Sequence, residues 1–294
     1  MLERNIKPAS KVRTIRLVPA MVHSMTHHLK GQRSSAVFGA VTMKEPNLVF
    51  ETDKITVFQQ QLGEWNNLNH LLVCKSSNKA CVIDPFDGQY WFNFCQSEGF
   101  LLTEIWLTHS HWDHIKGVEE LIQLISHEVI VRCHYLEQER GYQREGTMWW
   151  RHREFTEIIQ QFGMLNFAIY CTPGHTPGHV VIIGNGVVVA GDCLFLESCG
   201  RTDLFGGDRD KQRKSLFYLR QILLELDGLC VVLPGHRYEL SDDSNPMNLT
   251  LSEVMSINQA LRAIDSDDDW NNLPFLSFDD DLAERAKRQR ALNS

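Results

Sequence analysis

Thr108-His109-Ser110-His111-Trp112-Asp113-His114 puts three imidazoles and a carboxylate within six residues, directly after the apolar run Ile105-Trp106-Leu107. In extended chain, positions two apart point the same way, so His109, His111 and Asp113 converge on one side. A turn into a helix then swings His114 in beside them. Nitrogen and carboxylate donors at this spacing make a site for a borderline-soft divalent cation of zinc type. Three later segments have the same order of strand, turn and ligand-type residue. Cys171-Thr172-Pro173-Gly174-His175-Thr176-Pro177-Gly178-His179 holds two histidines in a stiff Pro/Gly turn. Asp192 follows Val187-Val188-Val189-Ala190-Gly191, and His236 follows Val231-Val232-Leu233-Pro234-Gly235. Each alone is equally well a turn histidine or a helix-capping aspartate. Beside the first motif, His175, Asp192 and His236 read as further ligands, and His179 as a residue packed behind them.

Side chains this dispersed meet only if strands and helices bring their turns to one edge. From residue 47 onward, short β-branched runs alternate with helical stretches, the pattern of a layered α/β domain. Strands are expected at 48–50, 55–60, 69–74, 80–83, 104–108, 129–133, 166–170, 179–183, 187–190 and 230–233. The 3.6-residue period predicts helices at 89–98, 114–125, 150–162, 209–226 and 251–264. Nearly every strand ends at a polar turn, where function is usually carried. Asp84, after Val82-Ile83, reads either as a turn residue or as a carboxylate that fixes the tautomer of a ligand imidazole. Met148-Trp149-Trp150 reads as helix-face packing or as part of a substrate mouth.

The chain has 294 residues, 43% of them hydrophobic and 22% charged, enough for one or two domains with a real core. Its net charge of -8 is uneven: residues 1–45 carry +6 and the remainder -14. Residues 1–46 therefore read as a basic arm, with His23, His27 and His28 solvated, 47–240 as the main domain, and 241–294 as a C-terminal extension. The acidic balance gives no footprint for nucleic acid. No apolar run approaches the roughly 18 residues of a membrane span. Eight cysteines stand singly with no CxxC pair, as reduced thiols do in a cytoplasmic protein. No GxSxG elbow, P-loop or GxGxxG fingerprint occurs. The expected partner is a small molecule.

The succession HxHxDH, GHT, GD and PGH, across about residues 55 to 240, resembles the metallo-β-lactamase superfamily, and within it the glyoxalase II branch of hydroxyacylglutathione hydrolases. The resemblance implies an α/β fold, a four-layer αββα sandwich over 47–240 with a short helical extension beyond it and the site on loops along one edge. It implies that His109, His111 and His175 hold one metal, Asp113, His114 and His236 a second, and that Asp192 bridges the pair. The ions would be two Zn2+, with iron or manganese as alternatives. The implied reaction is hydrolysis of a thioester or related ester by a metal-bridged hydroxide that Asp113 orients, zinc lowering the pKa of water from about 16 to about 7. Arg201, in Cys199-Gly200-Arg201-Thr202-Asp203, and Tyr238 match substrate-binding positions of that branch. Arg201 reads equally as an ion-pair partner of Asp203 or Asp208. Where those enzymes carry basic residues for glutathione, Asn272-Leu273-Pro274-Phe275 runs on into Asp279-Asp280-Asp281. Residues 199–203 also resemble persulfide dioxygenases, which hold one iron with residues matching His109, His175 and Asp192. That activity, a lactonase, and a metal-stabilised binding protein without turnover are the competing expectations. The basic insertion of nuclease members is missing between His114 and His236.

Overall fold

β1 (Asn47–Glu51), β2 (Ile55–Gln61), β3 (Leu68–Cys74), β4 (Lys79–Ile83), β5 (Leu101–Trp106), β6 (Ile130–His134) and β7 (Met148–Trp150) form a seven-stranded sheet in that spatial order. β8 (Glu157–Phe162), β9 (Leu165–Cys171), β10 (Val180–Gly184), β11 (Val187–Gly191), β12 (Val231–Pro234) and β13 (Leu249–Thr250) form a six-stranded sheet with β8 and β13 at its edges. The helices are α1 (Gly88–Glu98), α2 (Trp112–Ile115), α3 (Val118–Leu124), α4 (Tyr135–Arg140), α5 (Arg209–Leu224), α6 (Leu251–Ile257), α7 (Gln259–Ala263) and α8 (Asp267–Asn271). The structure, a computed structural model, describes residues 44–274. The basic arm up to residue 43, Phe275, the aspartates at 279–281 and the terminal mixed-charge stretch lie outside the described residues.

Alternation along the strands builds the layers. Leu72, Ile83 and Trp106 of the first sheet pack face to face with Phe167, Ile169, Val180, Ile182 and Val189 of the second, all fully buried. The intervening residues of the second sheet, Val181, Val188, Ala190 and Val232, pack instead against Leu216, Leu219 and Leu223 of α5 and Val254 of α6. On the outer side of the first sheet, Asn69 of β3 accepts the Trp91 Nε1–H of α1 at 3.2 Å. The result is the expected αββα sandwich. Strands buried on both faces read as continuous apolar runs, as β10 and β11 do, whereas β3 is buried along its whole length with Asn69 and His70 inside it.

The parallel pairs β4–β5, β5–β6, β6–β7 and β11–β12 each need a crossover. α1, then α2 with α3, then α4, then α5 supply them. The C-terminal ends of these parallel strands, with that of β9, lead into the segments that carry Asp84, His109, His175, Asp192 and His236.

The helix expected at 150–162 does not form; its residues end β7 and make β8. Ile158, Gln160 and Phe162 face inward while Glu157, Ile159 and Gln161 face out. Gln160 on the inner face masks the two-residue alternation, and it is there because its Oε1 accepts the Trp150 Nε1–H at 3.0 Å. Trp150 itself meets the buried Trp106 at 5.9 Å between ring centroids, so it is core and lines no substrate mouth. Gly163 and Met164 turn the chain from β8 into β9, with Phe162 opposite Leu165. Gly163 has φ +57, and an added Cβ would stand 2.7 Å from Cys74 Sγ. Gly163→Ala is therefore expected to cost roughly 1–2 kcal/mol of stability, read as a lower urea midpoint. A continuous helix there would instead gain from alanine.

The expected helix at 114–125 breaks at Gly117 into α2 and α3. That at 251–264 breaks at Asn258, whose Oδ1 caps α7 through Leu261 N at 2.8 Å while its Nδ2 donates to Phe195 O and Ser198 O, each at 2.9 Å. Beyond residue 240, β13 pairs antiparallel with β12, and Leu251, Leu261 and Trp270 join the core under the second sheet.

Candidate metal centre

Seven ligand-type side chains from four separate segments, those after β5, β9, β11 and β12, meet in two groups that share one carboxylate. In the first, His109 Nε2 lies 3.0 Å from His111 Nδ1, which lies 2.9 Å from His175 Nε2. In the second, His114 Nε2 is 3.2 Å from His236 Nε2, and Asp113 Oδ2 is 3.5 Å and 3.3 Å from those two nitrogens. Asp192 faces both groups. Its Oδ2 lies 3.4 Å from His175 Nε2 and 3.3 Å from His236 Nε2, and its Oδ1 lies 3.6 Å from His114 Nε2. All seven side chains are buried or nearly so.

The outward-facing atoms settle the tautomers. His175 Nδ1 meets Arg201 O at 2.7 Å and His236 Nδ1 meets Trp65 O at 2.8 Å. A carbonyl only accepts, so both Nδ1 atoms carry the proton and both Nε2 lone pairs point inward. Asp84 does the same for two more rings. Its Oδ2 accepts from His114 Nδ1 at 2.9 Å and from the Thr108 hydroxyl at 2.6 Å. The hydroxyl, having spent its proton, accepts from His109 Nδ1 at 3.0 Å. In the neutral form of each of these four rings the inner nitrogen therefore offers a lone pair, and two lone pairs 3.2 Å apart repel unless a cation or proton stands between them. Nitrogens bound to one tetrahedral zinc stand about 3.3 Å apart. The spacings here are close to that, so the donors fit a metal.

The charges agree. Burial, and after it neighbouring imidazoles, hold His109 and His111 well below the usual histidine range, so the first group is neutral. Burial works against charging His114 too, yet Asp113, Asp192 and Asp84 outweigh it and raise it to about 9. Asp192 and Asp113 likewise raise His236 against its burial. Burial would raise the Asp192 carboxyl, but His236 and His114 pull it well below the carboxylate range. Ionised carboxylates facing imidazoles in a buried pocket are a demand for positive charge, which divalent ions would meet.

Two supports, Asn67 and Glu137, carried no signal in sequence. Asn67 Nδ2 donates to Asp113 Oδ2 at 2.7 Å. Glu137 of α4 is fully buried and accepts from Ser110 N at 2.9 Å, the Ser110 hydroxyl, and Gly178 N at 2.8 Å, tying the His109–His111 segment to the turn that carries His175. His179 sits behind the ligands: its Nε2 accepts the Asp192 backbone N–H at 3.0 Å and its Nδ1 meets Thr172 Oγ1 at 3.1 Å. Gly235 leaves room for the shared carboxylate, since a Cβ there would come within 2.1 Å of Asp192 Oδ1. Cys193 is core. Tyr238 lies beside the second group, 6.1 Å from the His236 ring and 4.9 Å from Phe195. Arg201 makes a two-pronged ion pair with Asp203 at 2.7 and 2.9 Å.

A model of the Metallo-beta-lactamase superfamily matches residues 71–236, which include every residue of both groups. The chain belongs to the metallo-β-lactamase superfamily. Among its relatives in this superfamily, the hydroxyacylglutathione hydrolase of Xanthomonas campestris is 32% identical over 192 residues, 64% of this chain and 69% of the relative. The chain spans about two thirds of the length of such curated relatives, 64% in Vibrio campbellii. Among solved metallo-β-lactamase folds, ETHE1 from Myxococcus xanthus is 24% identical with a TM-score of 0.58, over 80% of this chain and 98% of that one. TTHA1623 in a di-iron-bound form is 26% identical with a TM-score of 0.52, over 68% of this chain and 98% of that one.

Proposed function

We propose that this superfamily member is a dinuclear metal hydrolase that cleaves a thioester or related ester, in the manner of a hydroxyacylglutathione hydrolase. The observation that carries the proposal is the position of Asp192, whose carboxylate is shared by the imidazoles of both groups. His109, His111 and His175 would hold one ion, Asp113, His114 and His236 the other, with Asp192 common to both. Bound there, such ions supply Lewis acidity and a water acidified to near-neutral pKa.

The chain's own residues do the rest. Asp84 and Thr108 keep ligand nitrogens unprotonated on the inner side. Asn67 holds Asp113 by Oδ2, so the carboxylate keeps one orientation toward the attacking water and accepts its hydrogen bond. Tyr238 contacts the substrate beside His236, and Arg201 meets it as an ion pair with Asp203 rather than as a bare cation. A thioester of the kind hydrolysed by the named relatives, with zinc as the ion and the cytoplasm as compartment, completes the reading. All eight cysteines are free thiols, as in a reducing compartment, and no helix of the described residues is long and apolar enough to cross a membrane.

The deciding experiment is metal analysis of the purified full-length chain, with hydrolysis of S-D-lactoylglutathione and simple thioesters and lactones measured beside oxygen uptake on glutathione persulfide. Two equivalents of metal, hydrolysis lost to a chelator and restored by zinc, are the expected outcome. One iron with oxygen uptake would replace the hydrolase by a dioxygenase, and bound metal without turnover would leave a binding protein.

A further inference from the structure

Arg140 is the last residue of α4, and its side chain, only 12% exposed, lies between two segments that each carry part of the site. Its Nη1 donates to the Ser110 hydroxyl at 3.0 Å and to Ser110 O at 3.4 Å, between the ligands His109 and His111. The Ser110 hydroxyl gives its own proton to Glu137, so toward Arg140 it accepts. On the other side, Arg140 Nε donates to Phe205 O at 3.0 Å, and the guanidinium lies 5.9 Å over the Phe205 ring. Glu137, fully buried and 3.6 Å from Nη1, supplies the opposite charge.

Gly207 N donates to Leu204 O at 2.9 Å and Gly206 sits at φ +85, which together mark a type II turn over residues 204–207. In such a turn the central carbonyl, here that of Phe205, has no partner within the turn. Arg140 supplies one. The same loop carries Arg201, whose carbonyl receives the His175 Nδ1–H at 2.7 Å, and it ends where Asp208 N donates to Gly174 O at 2.7 Å. Those two bonds fix the ends of the loop to the turn that carries His175. Arg140 fixes its middle to the His109–His111 segment.

We propose that Arg140 is a positioning residue, whose one guanidinium clamps the 201–208 loop to the His109–His111 segment and so holds Arg201 in place beside the first group of ligands. This rests on the hydrolase reading above, in which Arg201 meets the substrate. The clamp needs a fork. Nε and Nη1 are two donors fixed in one plane and aimed at acceptors in different segments, whereas a lysine brings a single nitrogen on a flexible stem. Arg140 touches no reacting atom. It acts on substrate affinity and leaves the chemical step to the metal ligands.

The test uses the full-length, zinc-loaded protein with S-D-lactoylglutathione, and amide hydrogen exchange on the same samples. Arg140→Lys keeps a charge beside Glu137 but cannot serve both acceptors. It is expected to raise KM about fivefold or more, with kcat within about twofold and zinc content unchanged. Exchange at the Gly207 amide should quicken about tenfold while that at Val131 in β6 stays as it was. Gly206→Ala reaches the clamp from the side of the loop, since its Cβ would stand 3.1 Å from Arg140 Cδ, and should give the same pattern. Arg144→Lys, at an ion pair with Glu119, should change none of these quantities. An unchanged KM in Arg140→Lys would overturn the proposal. So would a fall in kcat and zinc content with KM intact, which would make Arg140 a prop for the ligands alone. If Arg140→Lys does not fold, Gly206→Ala decides by the same two readouts. If wild type cleaves no thioester, the hydrolase reading fails separately, and exchange at Gly207 still decides the clamp.

Discussion

Asp192→Ala is expected to lower metal content at both groups together and to cut thioester turnover by about a thousandfold or more. The expectation follows from position. Removing any one histidine takes a donor from one group, whereas Asp192 lies within 3.6 Å of His114 Nε2 and closer to His175 and His236. Its charge matters as much as its reach. Without it, Asp113 is the one remaining carboxylate within the two groups, too little to hold two divalent ions. Misfolding is a weak alternative, because the local chain is held by backbone atoms that alanine keeps: Asp192 N donates to His179 Nε2 at 3.0 Å and Asp192 O accepts from Gly200 N at 3.0 Å. Near-UV circular dichroism should therefore stay close to wild type while metal analysis falls. Asp192→Asn, which keeps the shape and loses the charge, should fall between the two. A variant that loses metal from one group alone, or none, would refute the shared role.

The second sheet was partly legible because β10, β11 and β12 are apolar runs ended by glycine or proline, which composition alone reveals. The grouping of the candidate donors was legible because they sit at strand ends in an unusual spacing. What sequence hid were groups whose meaning is set by distant partners. Gln160 interrupts an apolar face because Trp150, ten residues earlier, needs an acceptor. Glu137 looks like any helical glutamate until the fold places Ser110 and Gly178 against it. Asn67 precedes a strand and only in space meets Asp113. Asn258 ends one helix and begins the next because its side chain is used by the Phe195–Ser198 turn. Each is a long-range hydrogen bond made by an ordinary polar residue, and local pattern carries no trace of that.

Asp84→Asn tests the other half of the centre, the orientation of its ligands. Asp84 is 2% exposed and accepts three hydrogen bonds, from Thr108 N at 2.8 Å, Thr108 Oγ1 at 2.6 Å and His114 Nδ1 at 2.9 Å. It also sits at φ +51, a region that asparagine tolerates as well as aspartate, so the substitution adds no backbone strain. Asparagine supplies one acceptor and one donor where the site needs two acceptors. With its oxygen on Thr108 N, its amide hydrogens face the Thr108 hydroxyl and His114 Nδ1. The hydroxyl would then turn to accept from the amide and donate toward His109 Nδ1, forcing the His109 proton onto Nε2, the atom that faces the other ligands. His114 would lose its acceptor outright. One ring in each group is thus spoiled by a single isosteric change, and metal affinity is expected to drop roughly 10- to 100-fold at both. The measurement is competition against a zinc indicator, with imidazole NMR reporting the His109 tautomer in the metal-free protein. A variant that binds zinc like wild type, with Nδ1 of His109 still protonated, would show that the Asp84–Thr108–His109 chain does not set the ligand.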